Sequence, residues 1–230
     1  MLAAMSDEPP IGDPVEGGAA RRPGRGVRQG RYVSLSPVDP QGDAEPLWRA
    51  AHDGSPAAAQ LWRYLAYGPF ADAASQREWL DSIASSEDPL FLTVRGSGGP
   101  IGVVSYLNIV GPDRRIELGH IWYVPAAQRG RANTETACLL MRRAFDELGY
   151  RRVEWKCDAL NARSRAAAER LGFTFEGVFR QHMIVKGRNR DTAWFSITDA
   201  EWPARRTAIE TWLAADDPGS ISLRDLTAAR

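Results

Sequence analysis

The chain has 230 residues, of which 43% are hydrophobic and 25% charged, with 29 lysines and arginines against 29 aspartates and glutamates. This length and apolar content suffice for one sizeable folded domain with extensions. The balanced charge excludes an overall basic field of the kind that binds nucleic acid or an anionic membrane, so any recognition of phosphate must be local.

The first 29 residues are predicted to form a flexible arm, because they contain almost no large apolar side chains whose burial would offset the entropy of ordering. The arm's arginines are interpreted as solvated, with contact to nucleic acid or another acidic partner as the alternative. The start MLAAMSDEPPIGDP does not resemble a secretory signal, and no apolar run approaches membrane-spanning length, so we expect a cytoplasmic protein without membrane contact. Cys138 and Cys157 have no CxxC partner and are expected to be reduced core residues.

The apolar patterns along the rest of the chain predict alternating strands and helices. The predicted strands lie at 31–36, 89–96, 101–110, 116–124, 151–158, 175–185 and 192–197. The predicted helices lie at 44–53, 57–65, 74–83, 134–148, 162–170 and 203–214. Gly149 and Gly172 follow two of these helices as left-handed terminators. The pattern predicts a mixed α/β fold in which an antiparallel meander precedes a parallel β-α-β crossover and a closing hairpin.

The segment AAQRGRANTETA, residues 126–137, joins a predicted strand to an amphipathic helix. The exposed N–H groups of such a helix start, beside Arg129 and Arg131, suit a pyrophosphate, and an ordinary capped helix start is the alternative. A Walker loop is excluded because no Gly-Lys-Ser/Thr follows, and a dinucleotide fingerprint is excluded because its three spaced glycines are missing. No metal-ligand spacing occurs, and the single histidines are interpreted as packing or surface residues.

The order of elements, the turn QRGRANTE and the later segment NARSRAAAERLGFTFEG resemble the GNAT N-acetyltransferase superfamily, specifically its RimJ/RimL-like branch. The resemblance extends from about Arg31 to Trp202. It implies a GNAT domain at 30–202 with a central, strongly twisted sheet of about seven strands and helices on both faces. Residues 203–230 are left as a C-terminal helix and tail.

The resemblance also implies that acetyl-coenzyme A is the cosubstrate, with its pyrophosphate on the helix-opening turn and its pantetheine arm between two splayed strands. The family pattern Q/R-x-x-G-x-G/A, anchored on Gln128, places Arg131 and Asn133 where small residues are expected. A second register places Gly130 and Ala132 there instead, and we prefer the first. The implied coenzyme-binding residues are Tyr123, Val124, Gln128, Arg129, Gly130, Arg131, Ala132, Asn133, Thr134 and Asn161. The backbone N–H groups near Tyr123 and Val124 are candidates to polarise the thioester carbonyl.

The second motif implies catalytic roles. Asn161 and Ser164 match the family's N-x-x-(A/S), but Ala168 replaces the tyrosine that commonly protonates the departing thiolate. The resemblance to RimL therefore assigns that task to Ser164. Lys156 occupies the place of the glutamate base of RimI-type enzymes. Glu117 is our preferred base, with a rim carboxylate as the alternative interpretation, and the weaker candidates are Asp158 and Glu176.

The acceptor is expected to be a primary amine. Four aromatic residues lie in the region that covers the acceptor in relatives and are candidates for substrate binding, with core packing as the equal alternative: Trp62, Tyr64, Tyr67 and Phe70. The RimL resemblance favours a protein or peptide N-terminal α-amine. A small amino-containing metabolite or antibiotic and a non-catalytic coenzyme-A-binding module remain alternatives. No metal is expected, nucleic acid is not expected as a partner, and a homodimer is left open.

Overall fold

The computed structural model describes residues 9, 11–217 and 219–228, and its centre is one eight-stranded mixed sheet with the order β1-β2-β3-β4-β5-β6-β8-β7. The strands are β1 (Arg28–Gln29), β2 (Ser34–Pro37), β3 (Leu90–Gly96), β4 (Gly99–Val110), β5 (Arg115–Tyr123), β6 (Arg152–Asp158), β7 (Thr174–Val185) and β8 (Arg188–Thr198). β5 and β6 are parallel, and the other neighbouring strands are antiparallel. The predicted mixed α/β fold with its meander and crossover is confirmed.

The helices are α1 (Pro40–Ala51), α2 (Pro56–Leu61), α3 (Ala73–Ala84), α4 (Ala132–Arg142), α5 (Ala162–Arg170), α6 (Trp202–Ala214) and α7 (Leu223–Ala228). α1 begins earlier than predicted, because the Asp39 side chain caps it by accepting the Gly42 N–H at 3.1 Å. A π-helical turn at Arg143–Leu148 continues α4 and ends at Gly149, whose φ of 83° is left-handed as predicted.

Helices cover both faces of the sheet, and alternation along the strands supplies two cores. Leu92 and Val104 belong to the larger core with residues of α4 and α6. Phe91 and Val103, one position away on the same strands, belong to the second core with residues of α1 and α3.

The structure differs from the sequence prediction in the described part of the N-terminal arm. Arg28 and Gln29 form β1 and pair with β2, which raises the strand number to eight. Further back, the Ala20 N–H donates to the Gly111 carbonyl at 2.9 Å and the Arg21 N–H to the Leu148 carbonyl at 2.9 Å. Backbone hydrogen bonds attach this segment, and composition carries no signal for them. Residues 1–8 and 10 of the predicted arm lie outside the described residues.

The C-terminal tail also holds a helix that the sequence prediction left out. α7 packs on α6 and α5, with Leu223 only 2% exposed. Thr198 and Glu201 pair immediately before α6, where the Thr198 N–H and Oγ1 both donate to Glu201 Oε2 at 2.8 Å.

Candidate active site

The parallel pair at the centre of the sheet opens into a cleft. β5 and β6 stay paired only as far as Leu118 and Trp155, although β5 continues to Tyr123 and β6 to Asp158. The separated strand ends line a cleft of about 1480 Å³. The strand separation that the resemblance implied is therefore present.

A β-bulge in β5 accompanies the opening. The register against β4 shifts between Gly119 and Trp122, so β5 carries one extra residue there, and His120 adopts a φ of 53°. A bulge leaves a residue outside the regular ladder. His120 and Ile121 both line the cleft, so the interruption faces the space between the strands.

The turn between β5 and α4 is held against the end of β5. A single 3₁₀ turn, Pro125–Ala127, follows the strand, and the Gln128 side-chain amide donates to the Tyr123 carbonyl at 2.9 Å. Arg129 has a φ of 62°, a left-handed conformation that glycine adopts more readily. Gly130 has open space around it, since an added Cβ would meet no atom within 4 Å.

The start of α4 leaves backbone donors for a ligand. The Glu135 N–H is the first that bonds back into the turn, to the Arg131 carbonyl at 2.9 Å. The earlier N–H groups of a helix have no intrahelical acceptor. Together with the positive end of the helix dipole they suit an anion.

Arg131 itself is directed away from the cleft. Its guanidinium lies 4.7 Å from the centre of the Tyr32 ring and donates to the carbonyls of Ala215 and Asp216 beyond α6. The side chain at the position where the family pattern expects glycine therefore leaves the backbone of the turn accessible.

The predicted coenzyme-binding residues divide into two groups. Those that line the cleft are Tyr123, Gln128, Arg129, Gly130, Asn133 and Asn161. Those that lie outside its lining are Val124, Arg131, Ala132 and Thr134. The Val124 N–H already donates to the Ile101 carbonyl at 2.9 Å, so it is not free to polarise a thioester. Thr134 is fully buried, and its hydroxyl accepts from Arg170 at 2.9 Å.

Asn161 and Ser164 meet at the start of α5. Asn161 caps the helix through Oδ1, which accepts the Ser164 N–H at 3.1 Å. The Ser164 hydroxyl oxygen accepts from the Trp155 indole N–H at 3.0 Å. Both residues line the cleft. Burial raises the pKa of the Cys157 thiol, and a hydrogen bond from the Ser164 side chain opposes part of that rise.

Glu117 lies at the floor of the cleft and is 5% exposed. Its Oε2 accepts from the Asn108 side-chain amide at 2.6 Å and lies 2.8 Å from the Lys156 ammonium. Burial raises the pKa of Glu117 above its ordinary value, and attraction to Lys156 opposes part of that rise. The carboxylate is therefore a buried, ion-paired group and not the rim carboxylate of the alternative interpretation.

The two weaker base candidates differ in position. Asp158 lines the cleft, and its Oδ1 accepts the Leu160 N–H at 2.9 Å. Glu176 lies outside the cleft lining and is held by Arg152 at 2.5 and 2.7 Å. The Arg152 guanidinium lowers the pKa of Glu176, so this carboxylate is committed to an ion pair.

Three of the four predicted substrate aromatics pack in or against the second core. Trp62 is 3% exposed and packs with its ring centre 5.0 Å from that of Trp122, while Tyr67 and Phe70 pack against the same second core. Tyr64 alone of the four lines the cleft, and its hydroxyl donates to the Leu160 carbonyl at 3.1 Å. These three rings pack with the residues of α1 and α3, where burial of apolar surface is stabilising.

Two single histidines that the sequence assigned to packing or the surface line the cleft. His182 shares a hydrogen bond of 2.9 Å with Thr192. Burial, with the nearby charge of Arg190, lowers the pKa of His120 to about 4, so this ring is neutral at physiological pH. The sequence carried no signal for these positions, because the bulge and the β7–β8 hairpin bring them to the cleft.

Both cysteines are free and buried. In the described part of the chain, no cluster of three or more His, Cys, Asp or Glu side chains is arranged to hold a metal ion. No helix in that part is long and apolar enough to cross a bilayer.

Known proteins resemble this arrangement. The model of the acetyltransferase (GNAT) domain family matches residues 33–174. Bacillus subtilis YdaF, named as a candidate ribosomal N-acetyltransferase, is 31% identical over 110 residues, which cover 47% of this chain and 59% of YdaF. The chain thus spans about three fifths of that relative.

Two solved structures are similar over most of their length. A GCN5-related N-acetyltransferase from Brucella melitensis is 41% identical with a TM-score of 0.87, over 92% of this chain and 98% of that one. A probable GNAT-family acetyltransferase from Chromobacterium violaceum is 39% identical with a TM-score of 0.76, over 86% and 100% of the two chains.

Proposed function

Because the chain belongs to the GNAT acetyltransferase family, we propose that it transfers the acetyl group of acetyl-coenzyme A to a primary amine, the N-terminal α-amine of a protein or peptide. The observation that carries the proposal is the opening between β5 and β6, with Glu117 on the β5 side of the cleft and Ser164 on the α5 side. A carboxylate and a hydroxyl facing one cleft suit proton removal from an amine and hydrogen bonding to a leaving thiolate.

The cleft fits the coenzyme. The opening between the strands accommodates an extended pantetheine arm, and the free N–H groups at the start of α4 suit a pyrophosphate. Arg170 lines the cleft beside this helix start, and burial lowers the pKa of its guanidinium. A phosphate nearby would stabilise that charge through charge-assisted hydrogen bonds.

The bound coenzyme supplies an activated thioester, and the residues of the chain supply proton transfer and hydrogen bonds. Glu117 removes a proton from the acceptor ammonium or from the attacking amine, because only a neutral amine is nucleophilic. Its raised pKa brings this carboxyl closer to neutral pH than an exposed glutamate.

Ser164 donates a hydrogen bond to the departing sulfur. Its oxygen accepts from the Trp155 indole, and its hydrogen would turn from the neighbouring Cys157 thiol to the departing sulfur. A thiol of pKa about 8.5 needs only such a bond or a late proton to leave. The Val124 N–H already has an acceptor. We therefore assign the polarisation of the thioester carbonyl to the backbone N–H groups of His120 and Ile121, within the bulge.

The peptide acceptor is supported by the size of the cleft and by the name of the relative. A cleft of about 1480 Å³ exceeds the ~300–1,000 Å³ typical of small-molecule sites, so its volume supports a coenzyme together with an extended acceptor. YdaF is named for ribosomal N-acetylation. With only Tyr64 of the four aromatics at the cleft, an aromatic cage for a small ring is less favoured.

A second candidate function is a coenzyme-A-binding regulatory module without turnover. The observation that favours it is Ala168, which is fully buried where the family's tyrosine acid stands. A third candidate is acetylation of a small amino-containing metabolite or antibiotic.

A thiol-release screen tests these candidates. Peptides with free α-amines are compared with the same peptides blocked at the N-terminus, and with amino acids, polyamines and amino sugars. We expect release with free peptides, none with blocked ones, and a strong loss in Glu117→Gln. Release confined to small amines would select the metabolite function, and acetyl-coenzyme A binding without release across the panel would select the regulatory module.

A further inference from the structure

Lys156 lies between two buried carboxylates at the floor of the cleft. Its ammonium is 2.8 Å from Glu117 Oε2 and 3.2 Å from Glu154 Oε2. Glu117 and Glu154 are 5% and 4% exposed, and the Lys156 side chain is 11% exposed. A buried cation in this position offsets the cost of keeping two neighbouring carboxylates charged.

The third side of the ammonium is an aromatic face. The Lys156 nitrogen lies 3.6 Å from the centre of the Trp194 ring, within the range of a strong cation–π contact. β8 therefore closes over the lysine and fixes its end, so that the ammonium cannot turn into solvent without losing all three contacts.

The two oxygens of Glu117 are used differently. Oε2 takes both the Asn108 amide and the Lys156 ammonium. Oε1 accepts no hydrogen bond from the described residues, and it would lie 3.7 Å from a Cβ placed on Gly119, at the edge of the bulge. Because one oxygen is fixed by two donors, the other is held toward the opening of the strands.

We propose that Lys156 is a positioning residue that keeps Glu117 ionised and holds its Oε1 toward the acceptor amine. The inference rests on the proposed function for the role of Glu117 as base. Lys156 occupies the place of the RimI-type glutamate, so the site keeps one carboxylate base on β5 and carries its counter-charge on β6.

The charges around Glu117 act in opposite directions. On β6, Lys156 lowers the pKa of Glu117 and Glu154 raises it. Arg152, behind Glu154, donates to its other oxygen at 2.9 Å. The remaining neighbours are neutral, with Asn108 on β4, Trp194 on β8 and the uncharged His120 further along β5.

This arrangement predicts shifts of opposite sign for two neighbouring substitutions. Lys156→Met removes the attraction and should raise the titration midpoint of Glu117 by about 1–3 pH units, the usual effect of an adjacent opposite charge. Glu154→Gln removes the repulsion and should lower it. General loosening of the fold would move both midpoints in the same direction, so the pair separates a specific from a structural effect.

The midpoint is measured by NMR on full-length protein labelled with ¹³C at the glutamate side-chain carboxyls, with Glu117 identified by its absence in Glu117→Gln. We expect Lys156→Arg to restore the wild-type midpoint. An unchanged or lowered midpoint in Lys156→Met would overturn the inference. If Lys156→Met does not fold, Lys156→Gln is measured in its place, because it also removes the positive charge beside Glu117.

Single-turnover transfer to one peptide amine at pH 7 and pH 9 provides the second readout. The ratio of the rate at pH 9 to the rate at pH 7 should be larger for Lys156→Met than for wild type, since higher pH ionises Glu117 again. Ionisation of the amine is common to both proteins and cancels in this comparison. Full turnover in Glu117→Gln would overturn the base role alone, while the NMR midpoints would still decide whether Lys156 holds Glu117 ionised.

Discussion

The hydroxyl of Ser164 is the most direct test of the proposed chemistry. Its oxygen accepts the Trp155 indole N–H at 3.0 Å, and its backbone N–H is bound to Asn161 Oδ1 at 3.1 Å. The side chain is therefore oriented before any ligand binds, and its hydrogen would turn from the Cys157 thiol to a departing sulfur. Ser164→Ala removes that donor, and Ser164→Thr keeps a hydroxyl at the same place.

The size of the expected effect on the rate follows from the negative charge of the departing thiolate, which accepts the hydrogen bond from Ser164. A hydrogen bond to a charged group contributes about 1.5–3 kcal/mol, and each 1.36 kcal/mol is tenfold in rate, so kcat of Ser164→Ala should fall about 10- to 150-fold. The KM for acetyl-coenzyme A should change little. The free energy of unfolding should fall by about 1–3 kcal/mol, because the indole N–H of Trp155, a residue that is 4% exposed, loses its partner.

The assay is single-turnover thiol release, so that slow product release does not hide the chemical step, with urea unfolding of the same samples. Trp155→Phe is the matched control, since it removes the indole donor but leaves the hydroxyl, and we expect it to retain more activity than Ser164→Ala. A Ser164→Ala rate within twofold of wild type would remove Ser164 from the mechanism.

Three further predictions concern stability. The folded-state pKa of His120, about 4, lies below its ordinary 6.5, so the unfolded chain binds the proton first and stability is lost as pH falls from 6.5 to 4. At 1.36 kcal/mol per unit this loss is about 3 kcal/mol, and His120→Gln should flatten that part of a pH series of urea unfolding curves. Glu135→Gln should lower the free energy of unfolding by about 2–3 kcal/mol in urea, because its carboxylate accepts the N–H groups of residues 31–33 at 2.7–2.8 Å; an unchanged midpoint would contradict this. Gly130→Ala should change the melting temperature little, since its site has open space and no left-handed φ; a marked drop would show that the turn needs glycine there.

Features set by local periodicity were predictable from the sequence. Alternating apolar residues indicated the strands, and β5, β6 and α5 follow in the expected order, so Glu117, Asn161 and Ser164 reach one cleft. The polar residue types at these positions limited the choice of base and acid. The three side chains reach one cleft because β5 and β6 are neighbouring strands, and the β-α-β crossover pattern in the sequence predicts that these strands are neighbours.

Features set by contacts distant in sequence were not predictable. The residue type of Trp62 fits a substrate-binding aromatic as well as a core residue. Only the packing of α1 and α3 over the sheet shows that its side chain belongs to the core. In the sequence, Lys156 indicates only that the glutamate base is absent from that position. Its ion pair with Glu117 depends on the register of two parallel strands. The N-terminal segment is attached by backbone hydrogen bonds, which any residue can form.

The turn before α4 shows how a departure from the family pattern is accommodated. Arg131 has helical backbone angles, with φ −78° and ψ −17°, so its position does not require glycine's freedom. What the position does require is that no side chain cover the backbone donors of the turn. The Tyr32 ring and the carbonyls of Ala215 and Asp216 meet that requirement, because they draw the guanidinium to the far side. An arginine at this place therefore depends on its contacts with the chain that follows α6.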